Sequence, residues 1–182
     1  MKKVLAGALL LLLSHFGYSQ TVSDQAVVPV SVTLNAILRL TVTSGGNIVF
    51  VVNTVDQYTN GIATSPRTTT TFRVSSTRNF TVTMVPENNT HFVGIQTNNT
   101  TNFPITNVGI VCAGTSGVVI PAAVAPLLAT QTIVTSPAAA NASYTIGWEL
   151  ATNAVVGAST LLSHSIPADV YVNNMFLTLA PQ

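Results

Sequence analysis

The chain has 182 residues, of which 6 are Lys or Arg and 5 are Asp or Glu. Both lysines stand at positions 2 and 3. Taking a 19-residue leader from the 182 leaves 163 residues with four arginines against five acids, a net charge of −1. So neutral a chain is not built to grip nucleic acid or an anionic lipid surface through charge, and a surface wetted by Thr, Ser and Asn rather than by charge tends to associate.

Residues 1–19 read as an export signal. Lys2 and Lys3 give a positive start, residues 4–13 an apolar stretch too short to span a membrane comfortably, and Gly17 and Ser19 the small residues of a cleavage site. Cleavage after Ser19 leaves Gln20 first, and no later stretch has the length and apolarity of a membrane span. The expected product is a single secreted domain, large enough for a proper core.

Residues 28–42 carry the strongest pattern. Val28, Val30, Val32, Leu34, Ala36, Leu38, Leu40 and Val42 alternate with mostly polar partners. A period of two is the signature of a strand with one buried face. At about 3.3 Å per residue the run would be about 50 Å long, against a usual strand of about five or six residues. Two readings remain: two strands joined by a bend near Asn35, or one core strand preceded by an extended arm at residues 20–34.

Residues 45–47, Gly-Gly-Asn, predict a tight turn, and the apolar run 48–52 predicts a strand. Residues 53–61 read as a loop ending in an Asn-Gly turn. Residues 67–74 predict a Thr-rich strand with Thr70, Phe72 and Val74 on one face, and Phe80, Val82 and Met84 mark the next. Short strands follow at 92–96 and 105–113, the second with a bulge expected at Gly109. Residues 118–128, broken by Pro121 and Pro126, resist assignment. Strands are then expected at 131–135, at 144–149 and at 170–179, with a small-residue loop and local helix at 151–165. Nine or ten short strands at intervals of about 8–12 residues predict an all-β antiparallel sandwich occupying residues 35–182.

Little here names a reaction. His91 and His164 have no partner at a metal-ligand spacing, and Ser163, Ser165 and Asp169 beside His164 read as solvated loop residues. No catalytic residue, metal site or cofactor is indicated. Cys112 is the single cysteine, so no internal disulfide is expected; its apolar neighbours predict a buried, inert thiol. Tyr58, Trp148 and Tyr171 are candidate aromatics for stacking on a sugar, unless Trp148 plugs the core.

Residues 45–50 (Gly-Gly-Asn-Ile-Val-Phe), 57–62, 74–82 (Val-Ser-Ser-Thr-Arg-Asn-Phe-Thr-Val) and 105–111 together form one pattern. It resembles secreted β-sandwich surface proteins of Bacteroidetes-type bacteria, whose relatives include fimbrial and fibre subunits. The resemblance covers about two thirds of the chain. It implies an immunoglobulin-like sandwich at the cell surface and carries over no active site. The expected function is therefore structural, with no enzyme activity. The chain would be a subunit of an extracellular filament, fimbria or surface layer, self-associating by β-strand addition through an arm bearing Val28, Val30, Val32 and Leu34. The alternative is a secreted monomeric adhesin or carbohydrate-binding module for host or environmental glycans.

Overall fold

A computed structural model describes residues 24–96, 102–157, 159–164 and 166–182. The expected leader at 1–19, the start of the expected arm at 20–23 and positions 97–101 lie outside the described residues. Residues 35–182 form one compact unit.

Within that unit the chain is an antiparallel β-sandwich. One sheet runs β1 (Leu38–Ser44), β2 (Thr69–Ser76), β10 (Ala139–Leu150), β6 (Val108–Gly114) and β8 (Ala125–Pro126). The facing sheet runs β12 (Met175–Pro181), β3 (Phe80–Pro86), β9 (Gln131–Ser136) and β7 (Val118–Val119). A small third sheet joins β11 (Tyr171–Val172), β4 (His91–Gly94) and β5 (Asn102–Pro104).

The inward faces follow the period-two pattern of the sequence. On β2, Thr70, Phe72, Val74 and Ser76 are buried, while Thr69, Thr71, Arg73 and Ser75 face outward. On β3 the buried set is Phe80, Val82, Met84 and Pro86. Tyr144 of β10 stacks on Phe72 at 5.3 Å and meets Phe80 of the opposite sheet edge-on at 6.5 Å, so one ring joins the two layers. Trp148 is buried further along β10, and its Nε1 donates to Thr70 Oγ1 at 2.9 Å. The Thr70 hydroxyl donates in turn to the Gly45 carbonyl at 2.7 Å, tying the turn after β1 to the core. Gly45 has φ +65°, and a Cβ there would collide with the Thr69 carbonyl, so this turn needs glycine.

Several sequence expectations change. Residues 48–52 form no strand, although the alternation is real: Ile48, Phe50 and Val52 pack against the core while Val49 and Val51 are exposed. One-sided burial sets such a pattern, and a ladder needs a neighbouring edge as well. The expected loop at 53–61 contains helix α1 (Val55–Asn60), started by a capping box in which Thr54 accepts from the Gln57 backbone and Gln57 from the Thr54 backbone. Gly109 sits in unbroken register opposite Glu149, so there is no bulge. Glycine stands there because Val155 of helix α2 (Asn153–Val156) packs where a Cβ would go. The strand expected at 144–149 extends back to Ala139, with a real bulge between Ala139 and Ala142. The expected 170–179 strand is two pieces, β11 and β12.

Cys112 is buried on β6, and burial pushes its thiol up to about 12 from 9.0. The unfolded thiol ionises from 9.0 while the folded one stays neutral to about 12. Cys112 therefore lowers stability as pH rises through that window and leaves it unchanged below. At neutral pH, thiol reagents should label the native protein far more slowly than the urea-unfolded chain, and reductant alone should not shift the melting temperature.

The Tyr144 hydroxyl is buried with no hydrogen-bond partner among the described residues. Removing an unpaired buried group costs little or nothing. Tyr144→Phe should leave stability in urea unchanged or raise it by up to about 1 kcal/mol.

Candidate functional site: the open flank

A sandwich has two flanks, and here they are built differently. On one, residues 118–127 cross from sheet to sheet. β7 pairs with β9 through Val118↔Thr135 and Val119↔Val134, and β8 pairs with β6 through Gly109↔Pro126 and Ile110↔Ala125. Between them Ile120 N donates to Ile133 O, Cys112 N to Pro121 O and Leu127 N to Val108 O. This segment satisfies the edges of β6 and β9, which explains the two prolines that made it hard to read: both sit at sheet margins, where a missing N–H costs nothing.

The other flank has no such closure. Among the described residues β1 is paired only to β2 and β12 only to β3. The two edge strands, seven residues each, approach one another at this flank. Each offers a row of backbone donors and acceptors with no ladder partner among the described residues.

The side chains show the same incompleteness. In register, Leu38, Leu40 and Val42 lie opposite Ser76, Val74 and Phe72, so they point between the sheets. Their partners on β2 are buried, yet Leu38 is 42% and Val42 43% exposed, with Leu40 half-buried. On β12, Met175, Leu177 and Leu179 lie opposite Pro86, Met84 and Val82 and also point inward. They too are only half-buried, although Met84 and Val82 are fully covered. Six inward-facing apolar side chains thus line a strip that no element of the described fold covers.

The arm residues are laid out plainly. Residues 24–36 carry no regular secondary structure, and strand begins at Leu38. Val28, Val30, Val32 and Leu34 are 77, 82, 76 and 89% exposed.

The three candidate aromatics do not form one platform. Trp148 is a core residue. Tyr171 packs on Phe103 at 5.5 Å and donates its hydroxyl to Pro167 O at 2.9 Å. Burial first, then the nearby Asp169 carboxylate and Tyr58 phenol, hold the Tyr171 phenol above its ordinary value. Tyr58 and Tyr171 are both half-buried against the core.

The polar residues are held by local hydrogen bonds. His91 contacts the Asn88 amide at 3.0 Å and the Thr90 hydroxyl at 2.7 Å. His164 Nδ1 lies 3.3 Å from the Asn107 amide. The buried Glu149 carboxylate accepts from Thr152 Oγ1 at 2.6 Å and Thr64 Oγ1 at 3.2 Å, fastening the segment before β2 to the end of β10. No three His, Cys, Asp or Glu converge among the described residues, and no helix among them is long and apolar enough to cross a membrane. Compared with known proteins, the chain matches no family model and no curated sequence.

The open flank has an energetic signature. Val42 and Val74 are both inward-facing, but only Val74 is covered. Val74→Ala should cost about 2 kcal/mol or more in urea unfolding of the unassembled protein, and Val42→Ala under about 1 kcal/mol.

Proposed function

We propose that the protein is a secreted structural subunit of a cell-surface filament, fimbria or surface layer. The arm of one copy adds as a strand to the open flank of the next. The observation that carries this reading is the uncovered inward row of Leu38, Leu40 and Val42 facing that of Met175, Leu177 and Leu179. Because the inner face of β1 is the more exposed, the missing element belongs in the opposite sheet, beside β12.

The arm has the chemistry such an element needs. Val28, Val30, Val32 and Leu34 recur at the strand period, and residues 28–34 would extend about 20 Å, matching a seven-residue edge. Each valine buried in the strip contributes on the order of 1.5–2 kcal/mol by area, which offsets much of the entropy lost on ordering the arm. Backbone pairing with the β12 edge fixes the register, since a one-residue slip would turn Ser31 and Thr33 inward. A donor at one end and an acceptor on the domain make a head-to-tail contact, which propagates as a filament when it does not close into a ring.

The test uses both halves of the contact. Mature protein lacking residues 20–30 should be folded and monomeric, and should cap the growth of full-length protein. Val30→Asp should block assembly, because it buries an unpaired charge, while Ser31→Asp on the polar face should be mild. Leu40→Asp on the acceptor should block assembly as Val30→Asp does, and a peptide of residues 26–35 should raise the melting temperature of the arm-deleted protein but not of its Leu40→Asp variant. Electron microscopy and sedimentation read the result. Unchanged filaments from the arm-deleted protein, or a wild type that stays monomeric at every concentration, would overturn the reading.

A further inference from the structure

The outer face of β1 carries a different chemistry from the inner one. Arg39, Thr41 and Thr43 point outward, opposite Ser75, Arg73 and Thr71 of β2 or close to them. Arg39 and Arg73 are thus diagonal neighbours across the β1–β2 pair, a spacing within reach of two long side chains. They are two of the four cations in the chain beyond the leader. Neither guanidinium has an ion-pair or hydrogen-bond partner among the described residues.

The bulge in β10 completes the site. Its register shifts between Ala139 and Ala142, and Asn141 adopts φ 59°, a left-handed conformation that asparagine tolerates better than most residues. Asn141 N donates to Ser75 Oγ at 3.0 Å, which leaves the Ser75 hydroxyl proton to donate elsewhere. Bulges re-aim side chains, and this one sets the Asn141 amide at the margin of the arginine pair. Arg39, Thr41, Thr43, Arg73, Ser75 and Asn141 line a shallow hollow of about 220 Å³.

We propose that this hollow binds the acidic group of a polysaccharide, a carboxylate or sulfate carried on a sugar ring. Two guanidiniums supply forked donors for an oxyanion, and the surrounding hydroxyls and amide match the hydroxyls of the ring. The hollow is smaller than the roughly 300–1,000 Å³ of small-molecule pockets, which suits one acidic unit of a long chain rather than an enclosed ligand. Nucleic acid fits poorly, because two arginines on a chain with four arginines against five acids beyond residue 19 make no track along a phosphate backbone. The proposal does not depend on filament assembly, since the outward face of β1 is separate from its inner row and its edge.

Binding of the mature protein to dextran sulfate (sulfated), to polygalacturonate (carboxylated) and to neutral dextran, followed by calorimetry at low salt, tests the inference. Wild type should bind at least one acidic polymer and not dextran, and the preferred polymer tells sulfate from carboxylate. Arg39→Gln and Arg73→Gln should each weaken binding about tenfold. Arg67→Gln and Arg78→Gln remove the same charge from other exposed positions and should change it less than about twofold. Asn141→Gly, which removes the amide while suiting the backbone, should weaken binding several-fold without lowering the melting temperature. Wild type that binds neither acidic polymer, or equal losses in all four arginine variants, would overturn the proposal.

Discussion

The main constraint on this fold is the hydrogen bonding of its sheet edges. Each sheet of a sandwich ends in two strands whose outer N–H and C=O groups need partners. Residues 118–127 meet that need on one flank by pairing first with β9 and then with β6. On the other flank the edges are β1 and β12, seven residues each. Proteins that leave such edges in water usually blunt them with charge, proline or brevity. β1 carries one charge, on its outer face, and β12 has its only proline at its last position. These edges are long and apolar on their inner side, which is the form of a surface that pairs.

The rest of the domain is tied together behind that flank. It has no disulfide, so its stability comes from the layer contact centred on Tyr144, Phe72 and Phe80. The 12-residue β10 is the spine, pairing with β2 along one side and β6 along the other. Ile62 pairs with Leu150 at its end, and the Thr64–Glu149–Thr152 hydrogen bonds secure the same corner. The strand next to the open flank, β2, is therefore fixed from behind. β1 then has an anchored partner on one side and no ladder partner among the described residues on the other.

The sequence showed more of the fold than of the site. Period-two burial made the faces of β2, β3 and β10 legible, because a strand with one dry side writes its orientation into alternate residues. Residues 48–52 show the limit of that signal: Ile48, Phe50 and Val52 are placed by burial alone, without a ladder. The Thr54–Gln57 capping box was present in the sequence and marks α1, but a six-residue helix has no hydrophobic period to draw attention to it. Residues 118–127 were opaque because strand-switching segments follow the edges they cover, and those edges are long-range partners. The open flank was invisible for a related reason. Leu38, Leu40 and Val42 look like any core strand until the facing sheet is seen to stop short of them. The hollow by Arg39 and Arg73 likewise depends on cross-strand register and on a bulge that composition alone does not reveal.

β1 has three separate surfaces, and the strand period keeps them apart. Its inner side chains face the uncovered strip, its backbone edge has no ladder partner among the described residues, and its outer face carries Arg39, Thr41 and Thr43. In the proposed assembly the added strand fills the inner strip, pairs with the β12 edge and leaves the outer face of β1 in water. In a head-to-tail polymer every subunit presents that face in the same orientation, so the arginine pair recurs at each repeat. One such pair is a weak site, since two exposed guanidiniums are strongly screened by salt. A long acidic polymer meeting many of them gains through effective concentration instead, and the gain is lost when the subunits separate. The proposed assembly at the inner strip and the proposed recognition at the outer face of β1 use separate surfaces, yet the first would multiply the second.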